Sequence, residues 1–289
     1  MTTAALQPRI LLLIVAALIA FAANSVLGRL GLEDGSTDPA SFTAVRLVAG
    51  SLMLLLLVRL SQRDDRAPRG RGSWHGGLML FAYAACFSYA YVSLATGTGA
   101  VILFGAVQLT IILASLLSGH RLRRLEWLGV ALAFAGFVYL MLPGIDAPDP
   151  FGFVLMALAG IAWGFYTLIG RGSSSPLTDT AFNFTRTVPM VVLLLAAVIM
   201  IDQPRLSERS FLLAAASGAI TSGIGYAIWY RVLPSLTPTQ AAVLQLLVPV
   251  LAALGGVVLV SEPLTLRLVL ASLLILGGIL LVIEARRRG

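Results

Sequence analysis

The chain repeats its own hydrophobic pattern at an offset of about 142 residues. The apolar run from Gly99 to Leu122 has its counterpart in the run from Ala241 to Leu264, and both runs end in a short polar turn. In the same way, Ser41-Phe42-Thr43-Ala44-Val45-Arg46 has its counterpart in Ala181-Phe182-Asn183-Phe184-Thr185-Arg186. A repeat of this length predicts two copies of one structural unit that pack against each other.

Composition places these units in a membrane. Hydrophobic residues make up 58% of the chain and charged residues only 11%, whereas a soluble domain carries about 25% charged residues. Mean hydropathy is +0.94. The sequence therefore predicts an all-α membrane protein, because an apolar helix of about 20 residues crosses the hydrocarbon layer. Its ten predicted transmembrane helices, numbered here as spans one to ten, cover residues 10–30, 40–60, 74–95, 99–118, 126–143, 152–170, 178–201, 211–233, 238–260 and 264–284.

The first run also resembles a secretory signal peptide, because Arg9 precedes it and Ala20-Phe21-Ala22 resembles a cleavage site. However, its apolar character continues through Leu32, and the second half contains a counterpart of this run. We therefore expect an uncleaved first span.

The arginines predict the orientation of the spans. With the N-terminus inside, fourteen arginines fall in cytoplasmic segments, four fall on the opposite side, and Arg46 and Arg186 lie within spans. Because basic residues accumulate on the cytoplasmic side, both termini are predicted to be cytoplasmic. Five spans in each half is an odd number, so the second repeat (146–289) is inverted relative to the first (1–145). Inverted repeats around a central cavity are typical of carriers that open alternately to either side.

Several classes of function are disfavoured. The sequence pI is about 10.3, but the arginines lie in short loops between apolar runs rather than on one face, so we expect no nucleic-acid partner. His75 and His120 fall at span ends and Cys86 is the one cysteine, so we expect no metal, no cofactor and no enzymatic nucleophile–base pair. No Asp or Glu lies in the middle of a span, which argues against proton coupling through a buried carboxylate.

The spans instead contain aromatic and amide side chains. Because an amide that faces lipid would leave its donors and acceptors unpaired, these groups must face other helices or a wet cavity. Interhelical packing and cavity lining are both open interpretations of these side chains, and for Trp74, Tyr91 and Tyr139, near span ends, an interfacial belt is favoured. The candidates for substrate binding are Asn24, Tyr83, Phe87, Gln108, Trp163, Tyr166, Tyr226 and Gln245.

Two arginines and two prolines inside spans have several possible roles. Arg46 and Arg186 occupy matching places in spans two and seven, where they could be gate or anion-attracting charges or could pair structurally or extend to the lipid headgroups. Pro249 and Pro189 each remove a backbone donor from a helix. Pro249 is a candidate hinge, and a static kink is the alternative.

Small residues recur at positions where helices could touch. Gly160 and Gly164 form a Gly-x-x-x-Gly pattern, Gly129 and Gly136 share a helix face, and Gly277-Gly278 lie in span ten. Close packing at small residues is typical of helix contacts in lipid. These glycines therefore predict helix contacts and are weak evidence of dimerisation.

The chain resembles the drug/metabolite transporter superfamily, specifically its ten-helix EamA-type exporters, over essentially its whole length. The resemblance rests on Ala241-Ala242-Val243-Leu244-Gln245-Leu246-Leu247-Val248-Pro249-Val250 with Ser261-Glu262-Pro263-Leu264-Thr265, on Ala162-Trp163-Gly164-Phe165-Tyr166 and on Ala23-Asn24-Ser25. The first half departs from the family pattern, because Val107-Gln108 stands where a proline is expected and Gly119-His120 where Gly-Glu is expected. Among the branches, the aromatic amino-acid exporters are nearest.

The resemblance implies a protein of a bacterial inner membrane, with two inverted five-helix repeats around a central cavity. Spans one, three, four, six, eight and nine would line this cavity. It also implies an exporter of amino acids or similar small metabolites, which we expect to be facilitative and broad in specificity. Apart from its substrate and the lipid bilayer we expect no partner, and a monomer is favoured. The alternatives are a carrier of anionic or phosphorylated metabolites, or a drug or cation exporter, of the same fold.

Overall fold

The computed structural model describes residues 8–61, 70–119, 122–144, 147–171, 173–201, 203–236 and 238–287, without the side chains of residues 238, 239, 286 and 287. His120 therefore lies outside the described residues, as do five of the arginines counted above, namely Arg63, Arg66, Arg69, Arg121 and Arg288. The helices are α1 (Pro8–Leu32), α2 (Pro39–Ser61), α3 (Trp74–Ala90), α4 (Thr96–Leu117), α5 (Arg124–Met141), α6 (Pro150–Ile169), α7 (Pro176–Ile201), α8 (Glu208–Ala216), α9 (Gly225–Val232), α10 (Pro238–Gln245), α11 (Leu247–Leu259) and α12 (Leu266–Arg287).

The ten predicted spans are confirmed. Helices α1 to α7 are spans one to seven, span eight joins α8 to α9 through a π-helical segment (Ser217–Ile224), span nine comprises α10 and α11, and span ten is α12. Within the described ranges, nine spans have the length and apolar composition to cross a membrane. Span three, the tenth, is 17 residues long, which is about 25 Å of helix.

Three spans differ in detail from the sequence prediction. Span three ends at Ala90 instead of continuing to residue 95, because the chain turns before Thr96 to begin span four. Span eight contains a π-helical segment that its periodicity does not reveal. Span nine is interrupted at Leu246. Pro249 has no N–H to donate to the carbonyl of Gln245, so the helix cannot continue regularly at this point.

The helix contacts show the two-repeat arrangement. If spans one to five are exchanged with spans six to ten, the contacts of span two with seven, four with nine and five with ten map onto themselves. The contacts of spans three and four with span six map onto those of spans eight and nine with span one. The fold is therefore two inverted five-helix repeats around a central cavity. The boundary between residues 145 and 146 remains a prediction.

Small residues allow the closest helix contacts, as their spacing predicted. A Cβ on Gly278 would lie 2.5 Å from the carbonyl oxygen of Gly129, so spans five and ten meet backbone to backbone. A Cβ on Gly160 would lie 2.6 Å from the carbonyl oxygen of Leu103, and one on Gly164 would lie 2.8 Å from Thr110. The Gly-x-x-x-Gly pattern thus packs against span four of the same chain.

Candidate functional site

A cavity of about 550 Å³ lies between the two repeats. The six spans that the resemblance implied all contribute to its wall, and so does span seven. The structure places all eight predicted substrate-binding residues at this wall: Asn24, Tyr83, Phe87, Gln108, Trp163, Tyr166, Tyr226 and Gln245. The interpretation as cavity lining therefore applies to each of them, and their binding of a substrate remains a prediction.

One wall of the cavity is a stack of aromatic rings centred on Trp163. Its ring is stacked on Tyr166 with centroids 5.0 Å apart and on Tyr226 with centroids 5.4 Å apart. Tyr83 approaches it from span three at 4.8 Å. Three spans thus form one apolar surface whose phenolic hydroxyls provide polar groups, which suits a ligand with both apolar and polar parts.

Another part of the wall, joined to the aromatic rings through Tyr83, is a hydrogen-bonded cluster around Asn24. Its Nδ2 donates to the hydroxyl oxygen of Tyr83 at 3.1 Å, and its Oδ1 accepts from Ser217 Oγ at 2.6 Å. Thr221 Oγ1 lies 3.2 Å from the same oxygen. Ser217 and Thr221 belong to the π-helical segment of span eight. The amide of span one is therefore fixed by span three on one side and by span eight on the other.

Arg46 and Arg186 have different environments despite their matching sequence positions. Arg46 is only 2% exposed, and its Nη2 donates to the Tyr83 hydroxyl at 2.9 Å. Extension of Arg46 to the headgroups, one of the alternatives above, is therefore wrong. Arg186 is half-buried, donates to the carbonyl of Phe182 and lies over the ring of Trp74. Arg186 does not contribute to the cavity wall.

Tyr91 does not lie in the interfacial belt expected from its position in the sequence. The belt interpretation is wrong for this residue, because its side chain is fully buried and its hydroxyl donates to the carbonyl of Thr96. Tyr91 keeps helical backbone angles and its N–H donates to the carbonyl of Phe87, so its ring lies on the same helix face as Tyr83 and packs edge-on against Phe87. Trp74, at the other end of the span, is 60% exposed, and Tyr139 is half-buried.

Sequence reasoning did not select several residues at the open end of the cavity. Asp179 and Asn183 line it from span seven, and Arg171 lines it from the end of span six. Asp179 accepts from Gly72 N at 2.8 Å and from Ser173 Oγ at 2.5 Å, and Asn183 accepts from Ser73 N at 2.7 Å. The spacing of Asp179 and Asn183 places them on one helix face. An acid in the first turn of a helix is so common that it carries no functional signal.

The cavity is open at one end and sealed at the other. The open end lies where spans six and eight end and spans seven and nine begin. At the sealed end, Arg29 Nε lies 3.3 Å from Glu262 Oε1. Both carboxylate oxygens of Glu262 accept from Thr96 N, and Arg29 Nη1 donates to the carbonyls of Tyr91 and Val92. These contacts join the ends of spans one, three and nine to the start of span four.

Comparison with known proteins confirms the resemblance found in the sequence. The model of the EamA-like transporter family matches residues 8–142 and 150–284. An uncharacterised protein of Pseudomonas aeruginosa is 52% identical over 260 residues, which is 90% of this chain and 89% of that protein. The uncharacterised inner membrane transporter YedA of Escherichia coli is 28% identical over 244 residues, with 82% and 78% of the two chains covered.

Two more distant similarities concern substrate and fold. A Salmonella typhimurium protein described as a probable amino-acid metabolite efflux pump is 22% identical over 196 residues, covering 63% of this chain and 66% of that protein. A protein of known crystal structure superposes with a TM-score of 0.62 at 22% identity, over 95% of this chain and 99% of the other. The latter shows the fold alone.

Proposed function

Because the chain belongs to the EamA-like transporter family, we propose that it exports amino acids or related small metabolites across the bacterial inner membrane by alternating access. Membership of this family shows that the protein is a multi-pass membrane transporter. The observation that carries the proposal is one cavity between two inverted repeats, open at one end and sealed at the other.

The chemistry of the cavity wall supports this substrate class. A volume of about 550 Å³ lies within the range of small-molecule sites. The stacked rings of Trp163, Tyr166 and Tyr226 present apolar faces to a side chain. Asn24, Gln108 and Gln245 present amides from three different spans, which suit the polar ends of a zwitterion. The amino-acid metabolite efflux pump among the distant relatives points to the same class.

The arginine distribution assigns the two ends of the cavity. With both termini in the cytoplasm, spans six and eight end there and spans seven and nine begin there, so the open end faces the cytoplasm. The end that Arg29 and Glu262 seal then faces the periplasm. A carrier in this state loads its substrate from inside the cell, as an exporter must. Rocking of the two repeats around the cavity would then release the substrate outside.

The positions of the acids support a facilitative carrier. Within the described ranges, each Asp or Glu that belongs to a span lies in the first or last turn of its helix, as Asp179 does in span seven. Proton coupling through a relay in the membrane usually needs a carboxylate deep in the span. A carrier of phosphorylated metabolites would need a basic cavity, and this alternative would gain support if Arg46 and Arg186 both faced inward. Arg186 does not contribute to the cavity wall.

The test is counterflow in proteoliposomes with a panel of labelled amino acids, with and without a proton gradient. We expect several amino acids to be exchanged at rates that the gradient does not change, and protein-free vesicles provide the background. A strict requirement for the gradient would refute the facilitative mechanism. Transport of a single amino acid would refute broad specificity, and transport of phosphorylated metabolites alone would refute the substrate class.

A further inference from the structure

Arg46 is a buried cation without a carboxylate partner. It is the largest fully buried side chain described, with an exposed fraction of 2%. No carboxylate of the described residues forms an ion pair with Arg46, and Arg46 Nη1 is buried without a hydrogen-bond partner among them. A charge is expensive to bury unless something compensates it. The uncompensated guanidinium therefore points to an anion that the protein itself does not supply.

The guanidinium lies directly behind the cavity wall. Its Cζ is 4.4 Å from the ring centre of Phe87 and 5.1 Å from that of Tyr83. Both rings line the cavity, and cation–π contact with them holds the guanidinium in place. Arg46 therefore acts on the cavity through Tyr83, because its Nη2 donates to the Tyr83 hydroxyl at 2.9 Å.

The hydrogen bonds that the Tyr83 hydroxyl already makes determine which hydrogen bond it can still make to a ligand. A phenolic oxygen accepts at most two hydrogen bonds and donates one. Tyr83 already accepts from Arg46 Nη2 and from Asn24 Nδ2. Asn24 is held in this orientation because its Oδ1 accepts from Ser217. The only capacity left at the Tyr83 hydroxyl is its own proton, and the neighbouring positive charge makes it a stronger donor.

We propose that Arg46, Tyr83 and Asn24 form a subsite that recognises the carboxylate of the substrate. This inference deepens the proposed function and rests on it. The carboxylate accepts the Tyr83 hydroxyl proton and compensates the charge of Arg46, while the apolar body of the substrate lies on the ring of Trp163, 4.8 Å from that of Tyr83. The substrate class is a monocarboxylate with an aromatic or aliphatic side chain. Amines, alcohols and esters of the same shape are excluded.

The test is competition against labelled L-phenylalanine or L-leucine bound to the purified full-length protein in detergent. For the first ligand, the competitors are L-phenylalanine, its methyl ester and phenethylamine, which lacks the carboxylate. We expect the ester and the amine to bind at least about tenfold more weakly, the equivalent of about 1.4 kcal/mol. Equal competition by phenethylamine would overturn the carboxylate subsite and leave the exporter proposal intact. Absence of binding by both labelled amino acids would overturn both.

Substitutions test whether Arg46 and Tyr83 cause the preference for ligands that carry a carboxylate. Arg46→Gln removes the charge and Tyr83→Phe removes the hydroxyl while keeping the ring, so in each the tenfold preference for the carboxylate should fall close to one. Arg46→Lys should retain part of it. Arg186→Gln, the same change at the matching position outside the cavity, should leave it intact. A preference that survives in folded Arg46→Gln or Tyr83→Phe protein, with a normal elution volume, would overturn the assignment. Tyr83→Phe keeps the test available if the arginine variant does not fold.

Discussion

Arg29 and Glu262, which are far apart in the sequence, form an ion pair that closes one end of the central cavity, with Arg29 Nε 3.3 Å from Glu262 Oε1. Their counterparts at an offset of 142 residues are Arg171 and His120. The arginine is therefore present in both repeats, and the acid only in the second. Under the inverted symmetry, the ion pair that closes one end of the cavity would correspond to Arg171 and His120 at the other end. These two residues cannot form the same ion pair, because neither is an acid, and this agrees with a cavity that is closed at one end and open at the other.

Loss of the Glu262 charge should open the sealed end. Glu262→Gln removes the ion pair, a charged contact worth about 1–2 kcal/mol, so opening should become roughly five- to thirtyfold more frequent. The measurement is labelling of Ser25→Cys, at the cavity wall, by an impermeant maleimide added outside right-side-out vesicles, in a Cys86→Ser background. Glu208→Gln, an exposed acid on the same side, is the control. Equal labelling rates in both variants would show that the ion pair does not act as a lock.

Trp163 should contribute to substrate affinity. Trp163→Ala removes the ring that links Tyr83, Tyr166 and Tyr226. Because an aromatic contact of this kind is worth about 1–2 kcal/mol, the KM in counterflow should rise by about tenfold. Trp127→Ala is the matched control, since Trp127 is 55% exposed on the outer surface of span five. Equal KM values in the two variants would place the substrate elsewhere.

Two adjacent glycines in span ten should respond oppositely to the same substitution. Gly278→Ala would bring a Cβ to 2.5 Å from the carbonyl oxygen of Gly129, so spans five and ten must separate, at about 1–3 kcal/mol of stability. Gly277→Ala meets nothing within 4 Å and should be neutral or stabilise by up to about 1 kcal/mol, since alanine favours the helix. Thermal unfolding in detergent measures both. An unchanged Tm for Gly278→Ala would contradict the close backbone contact.

The interruption of span nine should be needed for transport rather than for binding. Pro249→Ala restores an N–H for the carbonyl of Gln245, so α10 and α11 should join into one stiffer helix. We expect a lower counterflow turnover, by about fivefold or more if opening is hindered by about 1 kcal/mol, with substrate affinity little changed. Pro189→Ala is the control, because span seven runs through Pro189 without interruption. Unchanged turnover in Pro249→Ala would falsify the hinge.

The candidate site was more predictable than its electrostatics. All eight predicted residues line the cavity. For the amides and phenols among them, the reason is that a polar group in an apolar helix cannot face lipid without losing its hydrogen bonds. The role of Arg46, which the sequence left open, became clear only from its position against two of the wall residues. Arg46 and Arg186 occupy matching places in the two repeats, so nothing local distinguishes the fully buried arginine from the half-buried one. The belt interpretation of Tyr91 was wrong for a related reason, because the burial of a side chain near a span end depends on the helices packed around it.

The sequence by itself determined the number of spans, the two repeats and the family, because these depend on hydrophobic runs and on a pattern that recurs along the chain. Tertiary structure alone decided which end of the cavity is sealed, where span eight becomes π-helical and which arginine is buried behind Tyr83. A hydrophobic pattern predicts only where a helix lies in the chain and whether its side chains face apolar or polar surroundings. The partner of a given side chain is set by helices far away in sequence, and it exists only once they have packed.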